Sequence, residues 1–395
     1  MSTIAFFCIP AHGHTNPTLG VVRELVSRGH QVIYYSYAPF KERIEAAGAQ
    51  FIPCDSFDAE LKLNRKEAAR IGKDLALSTR VLVDTTLALD DMVCRDMERL
   101  MPDCIVADSM AAWGKAAALK LGIPFISSTT TFAFNQHSAK IMKQSPAQLI
   151  RMLLSMPRIQ KDIARLKSAG YPVKSVLDLI SNDDRTHTIV YTSPQFQPCA
   201  ETFSSAHYIF TGPSIRPAQT AFHKRRDRLV YISMGTVNNA MLPLYRACIN
   251  AFEDAPYQVV LSVGSEVDLS KLGPLPEHIE VYPHVDQIAV LRETDAFLTH
   301  CGMNSASEAL YFSVPLAMLP QTSEQGGVAR RVQQLGAGIM VGRPTPKAIR
   351  QAVDTLLTDD SYRQSAAAIS AGFRQCVGAK GAADKILSVA EGKIL

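Results

Sequence analysis

The stretch DAFLTHCGMNSASEALYFSVPLAMLP, residues 295–320, decides the architecture. It opens with a short apolar run, passes through a glycine-bearing polar turn into a helix, and returns to a second apolar run. That is the strand–helix–strand unit of a parallel sheet. The alternation continues in both directions: LVYISMG, YQVVLSVG and IEVYPHV precede it and AGIMV follows, each run leading into a helix or turn. A second series fills the first half. There TIAFFCIP (3–10) reads as a buried strand and PTLGVVRELVSRG (17–29) as a helix with Pro at its start and Gly at its end. QVIYYSY, QFIPC, CIVAD, PFISST and HTIVYTS continue the strands, WGKAAALKLG (113–122) is another Gly-terminated helix, and 137–180 is a mostly helical insertion. Between the two series, TGPSIRPAQTAFHKRRDR (211–228) breaks both periods with Pro, polar and basic residues, as an interdomain linker does. Two sequential α/β sheets of similar size are expected.

Composition narrows the function. With 395 residues, 47% hydrophobic and 20% charged, the chain is a globular protein of two or more domains. The net charge of +4 and a single short basic run, HKRRDR at 223–228, give a nucleic acid no footprint. The eight cysteines form no C-x-x-C pair and several fall within apolar runs, so reduced thiols in a cytoplasmic protein are expected. MSTIAFFCIPAHGH has no basic n-region and breaks at Pro10, and no other segment approaches the roughly 18 apolar residues a membrane span needs. Neither a leader nor integral membrane association is expected.

Ligands of parallel α/β sheets collect at the carboxyl ends of the strands, so the residues just after each strand carry the chemistry. In HCGMNSASE a helix begins directly after a strand, where amide groups and the positive end of the helix dipole attract anions. Gly302, Asn304 and Ser305 can cradle a phosphate there, and His300 can give it a hydrogen bond or a charge. Glu308, a turn further on, can accept from two adjacent hydroxyls, as on a ribose. The same Ser305-x-x-Glu308 spacing also fits a capping box that merely closes the helix end. On the same edge, LVYISMGTVNN presents Ser233, Gly235 and Thr236 at a turn, and PLAMLPQTSEQ ends in Gln321, Glu324 and Gln325.

In the first half, IPAHGHTNP puts His14 in the loop after the first strand and CIVAD ends another strand in Asp108. A histidine held by a carboxylate is a general base suited to taking the proton of a hydroxyl nucleophile. A G-x-S-x-G elbow, a G-x-G-x-x-G fingerprint, H-E-x-x-H and paired cysteines are all missing, which argues against a serine hydrolase, a dinucleotide dehydrogenase and a metal site.

PHVDQIAVLRETDAFLTHCGMNSASEALYFSVPLAMLPQTSEQ (283–325) resembles the donor-binding signature of family 1 nucleotide-sugar glycosyltransferases. PAHGHTNP, ADSMAAWGKAAALKLGIP and TTTFAFN resemble the bacterial macrolide-glycosyltransferase branch, and the likeness runs from residue 3 to about residue 390. The resemblance implies the GT-B fold, an α/β architecture of two facing Rossmann-like parallel-sheet domains with a cleft between them. Residues 1–212 would hold the acceptor, 213–228 the linker and 229–380 the nucleotide-sugar donor, with a helix at about 381–395 packing back on the first domain. His14 would be the catalytic base and Asp108 its partner. Val285 and Gln287 would lie along uracil and ribose, with Gly235, Thr236, His300, Gly302, Asn304 and Ser305 around the diphosphate and Glu308 on the ribose hydroxyls. Glu324 and Gln325 would hold the sugar. At the base-binding loop the family usually has Trp or Tyr, Val, Pro, Gln, and here His284 and Asp286 interrupt that run.

The expected reaction is an inverting, metal-independent transfer of a hexose, glucose foremost, from a UDP-sugar co-substrate to a hydroxyl of an apolar small molecule, with no further cofactor. Phe132, Phe134 and Asn135, with the Met- and Leu-bearing insertion (Met142, Met152, Leu153, Met156), suit a flavonoid, phenol, steroid or macrolide. A transferase using a dTDP-deoxysugar, a nucleotide-sugar epimerase or hydrolase, and a non-catalytic sensor are the alternatives. The first would waste a ribose contact of Glu308, the second would need further carboxylates, and the third has no use for His14 and Asp108.

Overall fold

The structure is a computed structural model that describes residues 1–55, 74–135, 137–138, 146–175, 178, 186–235 and 241–392. The chain divides into two compact units. One comprises Met1–Tyr191, Cys199–Ser214 and Val377–Leu395; the other comprises Thr192–Pro198 and Ile215–Cys376. The short segment 192–198 and most of the linker-like stretch therefore belong to the second unit, and the last helix, Gly378–Ala390, belongs to the first.

The first unit is built on seven strands: β1 (Thr3–Phe7), β2 (Gln31–Ser36), β3 (Gln50–Pro53), β4 (Cys104–Asp108), β5 (Phe125–Thr129), β6 (His187–Val190) and β7 (Tyr208–Phe210). They lie in the order β3-β2-β1-β4-β5-β6-β7, and every pairing is parallel. Alternate side chains feed two cores, as a sheet covered on both faces requires. Ile4 and Phe6 pack with the helix His12–Ser27 and with Ala382, Ala383 and Ile386 of the last helix. Ala5 and Phe7 pack on the other face with Leu89, Val93 and Trp113 from the helices Leu75–Leu100 and Ala112–Leu121. The stacked pairs Phe6–Tyr34 and Phe7–Tyr35, one on each face, fix the β1–β2 register.

The second unit repeats the plan with β8 (Leu229–Ser233), β9 (Gln258–Ser262), β10 (Ile279–Tyr282), β11 (Ala296–Thr299), β12 (Leu316–Met318) and β13 (Gly338–Met340). Their order is β10-β9-β8-β11-β12-β13, again wholly parallel. Val230, Ile232, Val259, Leu261 and Leu298 form a core with the helices Leu242–Ala251 and Pro346–Thr358. In each sheet the order reverses at one place, between β1 and β4 and between β8 and β11. Those two switch points are where ligands settle in open α/β sheets.

One local expectation changes, and one strand is added to those expected. The first helix starts at His12 rather than Pro17, so Pro17 stands inside it and His14 lies in its first turn, not in a loop. The strand β7 is only three residues long, too short to carry a period of its own. All eight cysteines are free thiols, five of them buried, and among the described residues no helix is long and apolar enough to cross a membrane.

Candidate functional site

At the first switch point the turn after β1 brings His14 to the end of β4. Its Nδ1 stands 2.8 Å from Asp108 Oδ2, with the imidazole side chain 20% exposed and the carboxylate wholly enclosed. Asp108 is oriented in turn, because its Oδ1 accepts the Met110 N–H at 2.8 Å. An ionised carboxylate accepts only, so Nδ1 of a neutral ring carries the hydrogen and Nε2 the lone pair, which is the tautomer a general base needs. Thr130 Oγ1, just past β5, lies 3.1 Å from the same Nδ1. Thr130 was not singled out by sequence reasoning; its signal is its place after the strand next to β4.

Phe132, two residues past Thr130, is buried, while Phe134 and Met110 each expose 45% of their surface. Asn135, expected in the acceptor pocket, has its side chain engaged by the protein itself. Its Nδ2 donates to Thr202 Oγ1 at 2.7 Å, and its Oδ1 accepts the N–H groups of His137 and Ser138, each at 2.9 Å. That is a turn-fixing role rather than a ligand contact. Leu153 and Met156 are exposed on the helix Pro146–Ser168. Met142 and the side chain of Met152 lie outside the described residues.

At the second switch point the chain turns from β11 into the helix Met303–Tyr311 through His300, Cys301 and Gly302. Gly302 is the N-cap and brings no capping side chain, so the capping-box reading of Ser305 and Glu308 fails. Ser305 instead stands in the first turn with Asn304. Cys301 is held at φ 63°, a left-handed conformation costly for a non-glycine residue, with its N–H bonded to Thr299 Oγ1 at 3.2 Å.

His300 fills a slot between two glycines. A Cβ on Gly235 would meet the ring at 2.6 Å, and a Cβ on Gly302 would come within 2.6 Å of Nε2, so both positions must lack a side chain. Gly235 also has φ +81°, which only glycine adopts without strain. Burial lowers the His300 pKa to about 4, against the opposing pull of a hydrogen bond to the Ser233 backbone. In the absence of a ligand the ring is therefore mostly neutral at physiological pH with its one N–H engaged by the Ser233 backbone, so it gives a bound anion a hydrogen bond by taking up a proton or by releasing that contact. Thr236 lies outside the described residues.

Gln287 and Glu308 meet directly: Gln287 Nε2 donates to Glu308 Oε2 at 2.6 Å and approaches Ser305 Oγ at 3.4 Å, while the Tyr231 hydroxyl reaches Gln287 Oε1 at 3.3 Å. Enclosure by the protein pushes the Glu308 carboxyl above the usual range, opposed by the Gln287 hydrogen bond and the positive charge of Arg216. Val285 is part-buried beside exposed His284. Glu324 and Gln325 open the helix Ser323–Gln334, but Gln325 is half committed. With Thr322 it forms a capping box, its Oε1 accepting from Gln321 N at 2.8 Å and Thr322 N at 3.2 Å. The Thr-x-x-Gln spacing of 322–325 is the sequence signal for that box. Glu324 stays exposed beside it.

Two Rossmann-like units, with a carboxylate-held imidazole at one switch point and an anion-receptive helix terminus at the other, define a nucleotide-dependent group-transfer enzyme of the GT-B class. The solved glycotransferase of kitacinnamycin superposes with a TM-score of 0.83 at 27% identity, covering 98% of each chain. Residues 222–374 match the family model described as UDP-glucoronosyl and UDP-glucosyl transferase. The chain is 32% identical over 387 residues to YdhE of Bacillus subtilis, described as an uncharacterized UDP-glucosyltransferase, covering 95% of each. It is also 32% identical over 403 residues to demethyllactenocin mycarosyltransferase of Streptomyces fradiae, covering 98% of this chain and 86% of that one. The chain belongs to family 1 of the nucleotide-sugar glycosyltransferases, on the branch that includes macrolide- and other natural-product-modifying enzymes.

Proposed function

We propose that the enzyme transfers a hexose, glucose foremost, from a UDP-sugar to a hydroxyl of an apolar small molecule, with inversion at the anomeric carbon and without a resident metal or other cofactor. The observation that carries this reading is the His14–Asp108 contact of 2.8 Å, which sets the imidazole in the tautomer of a base. In the step, the acceptor oxygen bonds to the anomeric carbon as the bond from that carbon to the β-phosphate oxygen breaks. The hydroxyl proton passes to His14, Asp108 stabilises the imidazolium, and the electron pair of the broken bond leaves with UDP. The base supplies about 10²- to 10⁴-fold.

In this reading the first turn of the helix Met303–Tyr311, with Gly302, Asn304, Ser305, Gly235 and a hydrogen bond from His300, receives the diphosphate. Thr236 belongs with them by sequence. Glu308 accepts from both ribose hydroxyls, Gln287 aligns it, and Val285 borders the base. Glu324 and the remaining amide hydrogens of Gln325 face the sugar hydroxyls. Exposed Phe134 and Met110 favour an apolar acceptor, and the relative named for demethyllactenocin supports a natural product. Free, mostly buried thiols suit a cytoplasmic setting.

The test is mass spectrometry of reactions containing EDTA, UDP-glucose or a dTDP-sugar, and a panel of phenols, flavonoids, steroids and macrolides. A hexose-bearing product from UDP-glucose, lost in His14→Ala while UDP binding persists, is the expected result. Wild-type turnover in His14→Ala, or loss of donor with no glycosylated product, would refute it.

A further inference from the structure

One buried carboxylate near the second switch point is not explained by the reaction. Asp286 is the N-cap of the short helix Gln287–Leu291 yet makes no cap bond to it. Its side chain is only 5% exposed and turns away, toward a segment about 70 residues earlier in the chain. There Oδ1 accepts from Arg216 at 2.5 Å, and Oδ2 accepts the N–H groups of Gln219 and Thr220 at 2.5 and 3.0 Å. Three donors on one carboxylate, one of them a guanidinium, make a specific tether of Arg216–Thr220 to the loop 283–287.

The tether ends one residue before Gln287, whose amide bonds Glu308. It also sets the charge around Glu308. Arg216 favours the ionised carboxylate and Asp286 opposes it, while Tyr231, Gln287 and Ser305 are the polar groups on the other sides. With Asp286 matched by Arg216, Glu308 meets a compensated pair; without Arg216 it meets a bare anion.

We propose that Arg216 and Asp286 act as positioning residues for the nucleoside, a latch that holds Gln287 and Glu308 ready for the two ribose hydroxyls. The latch rests on the assignment of Glu308 to the ribose. It makes Arg216, a residue of the interdomain stretch, a determinant of ribose over deoxyribose in the donor.

The experiment is calorimetric titration of the full chain with UDP and with 2′-deoxy-UDP, for wild type, Arg216→Ala, Arg216→Lys, Asp286→Ala and Glu308→Ala, with thermal melts of each. Arg216 is 37% exposed, so its replacement leaves the fold intact. Arg216→Ala and Asp286→Ala are expected to weaken UDP by about tenfold, the loss of one charge-assisted hydrogen bond. They should weaken 2′-deoxy-UDP much less, so the ribose preference falls; Arg216→Lys restores it in part, and donor KM rises with little change in kcat. If Glu308→Ala loses the preference while Arg216→Ala and Asp286→Ala keep it, the latch is overturned alone. If Glu308→Ala itself binds both nucleotides as wild type does, the ribose assignment falls and takes the latch with it. Equal weakening of both nucleotides in Arg216→Ala would reduce the pair to general loop support and also overturn the proposal.

Discussion

Gly302→Ala isolates the slot that holds His300. The backbone there sits at φ −62° and ψ 146°, which alanine adopts freely, so no conformational strain is introduced. The new methyl would stand 2.6 Å from His300 Nε2 and 3.3 Å from Cε1, about 1 Å inside ordinary van der Waals contact at its nearest point. A ring that yields to the methyl is displaced from the position it holds between the two glycines. It then loses a hydrogen bond to an anion worth about 1.5–3 kcal/mol, or about 10- to 150-fold in affinity. Overpacking adds about 1–3 kcal/mol of destabilisation, visible in a thermal melt. Titration calorimetry with UDP on the folded variant reads the first quantity, and donor KM should follow it. UDP binding within twofold of wild type would refute both the slot and the place of the diphosphate beside it.

Three further outcomes are expected. Asp108→Asn, which offers His14 Nδ1 an N–H in place of an acceptor, should cut kcat by about 10²-fold or more with UDP affinity unchanged, read by steady-state kinetics alongside calorimetry. Glu308→Gln should raise thermal stability at neutral pH: a carboxyl whose folded pKa is raised contributes stability below its unfolded pKa and loses it as pH rises through the folded value. The same variant should weaken UDP about tenfold. His300 has a depressed pKa of about 4, so its contribution is present above the unfolded value near 6.5 and is lost as pH falls toward 4; about 3 kcal/mol of acid sensitivity should disappear in His300→Gln, measured by denaturant unfolding between pH 7 and 4.

The alternation of apolar runs and helices made the two sheets legible, because parallel strands buried on both faces must be almost wholly apolar. The meeting of His14 and Asp108 was legible for the same reason: Asp108 closes one strand and His14 comes soon after the strand paired with it, at the same sheet edge. Features set by side-chain competition were harder to read. Ser305 and Glu308 have capping spacing, but Gly302 already occupies the cap and Glu308 finds Gln287, 21 positions away. Pro17 resembles a helix start, yet the helix begins five residues earlier. Asn135 looked available for a ligand until Thr202, distant in sequence, took its amide. The neutral state of His300 depends on its burial between β8 and β11, which no local motif encodes.

The path of the chain has a consequence for synthesis. Ala382, Ala383 and Ile386, near the end of the chain, complete a core begun by Ile4 and Phe6, and Arg28 is bridged to Asp384. A ribosome releasing this protein from its amino end has the second Rossmann-like half entire before the first can cover that apolar face. Truncations stopping near residue 214, or hybrids made by joining halves there, leave the opening half short of its last helix; a working exchange must carry 377–395 along with it.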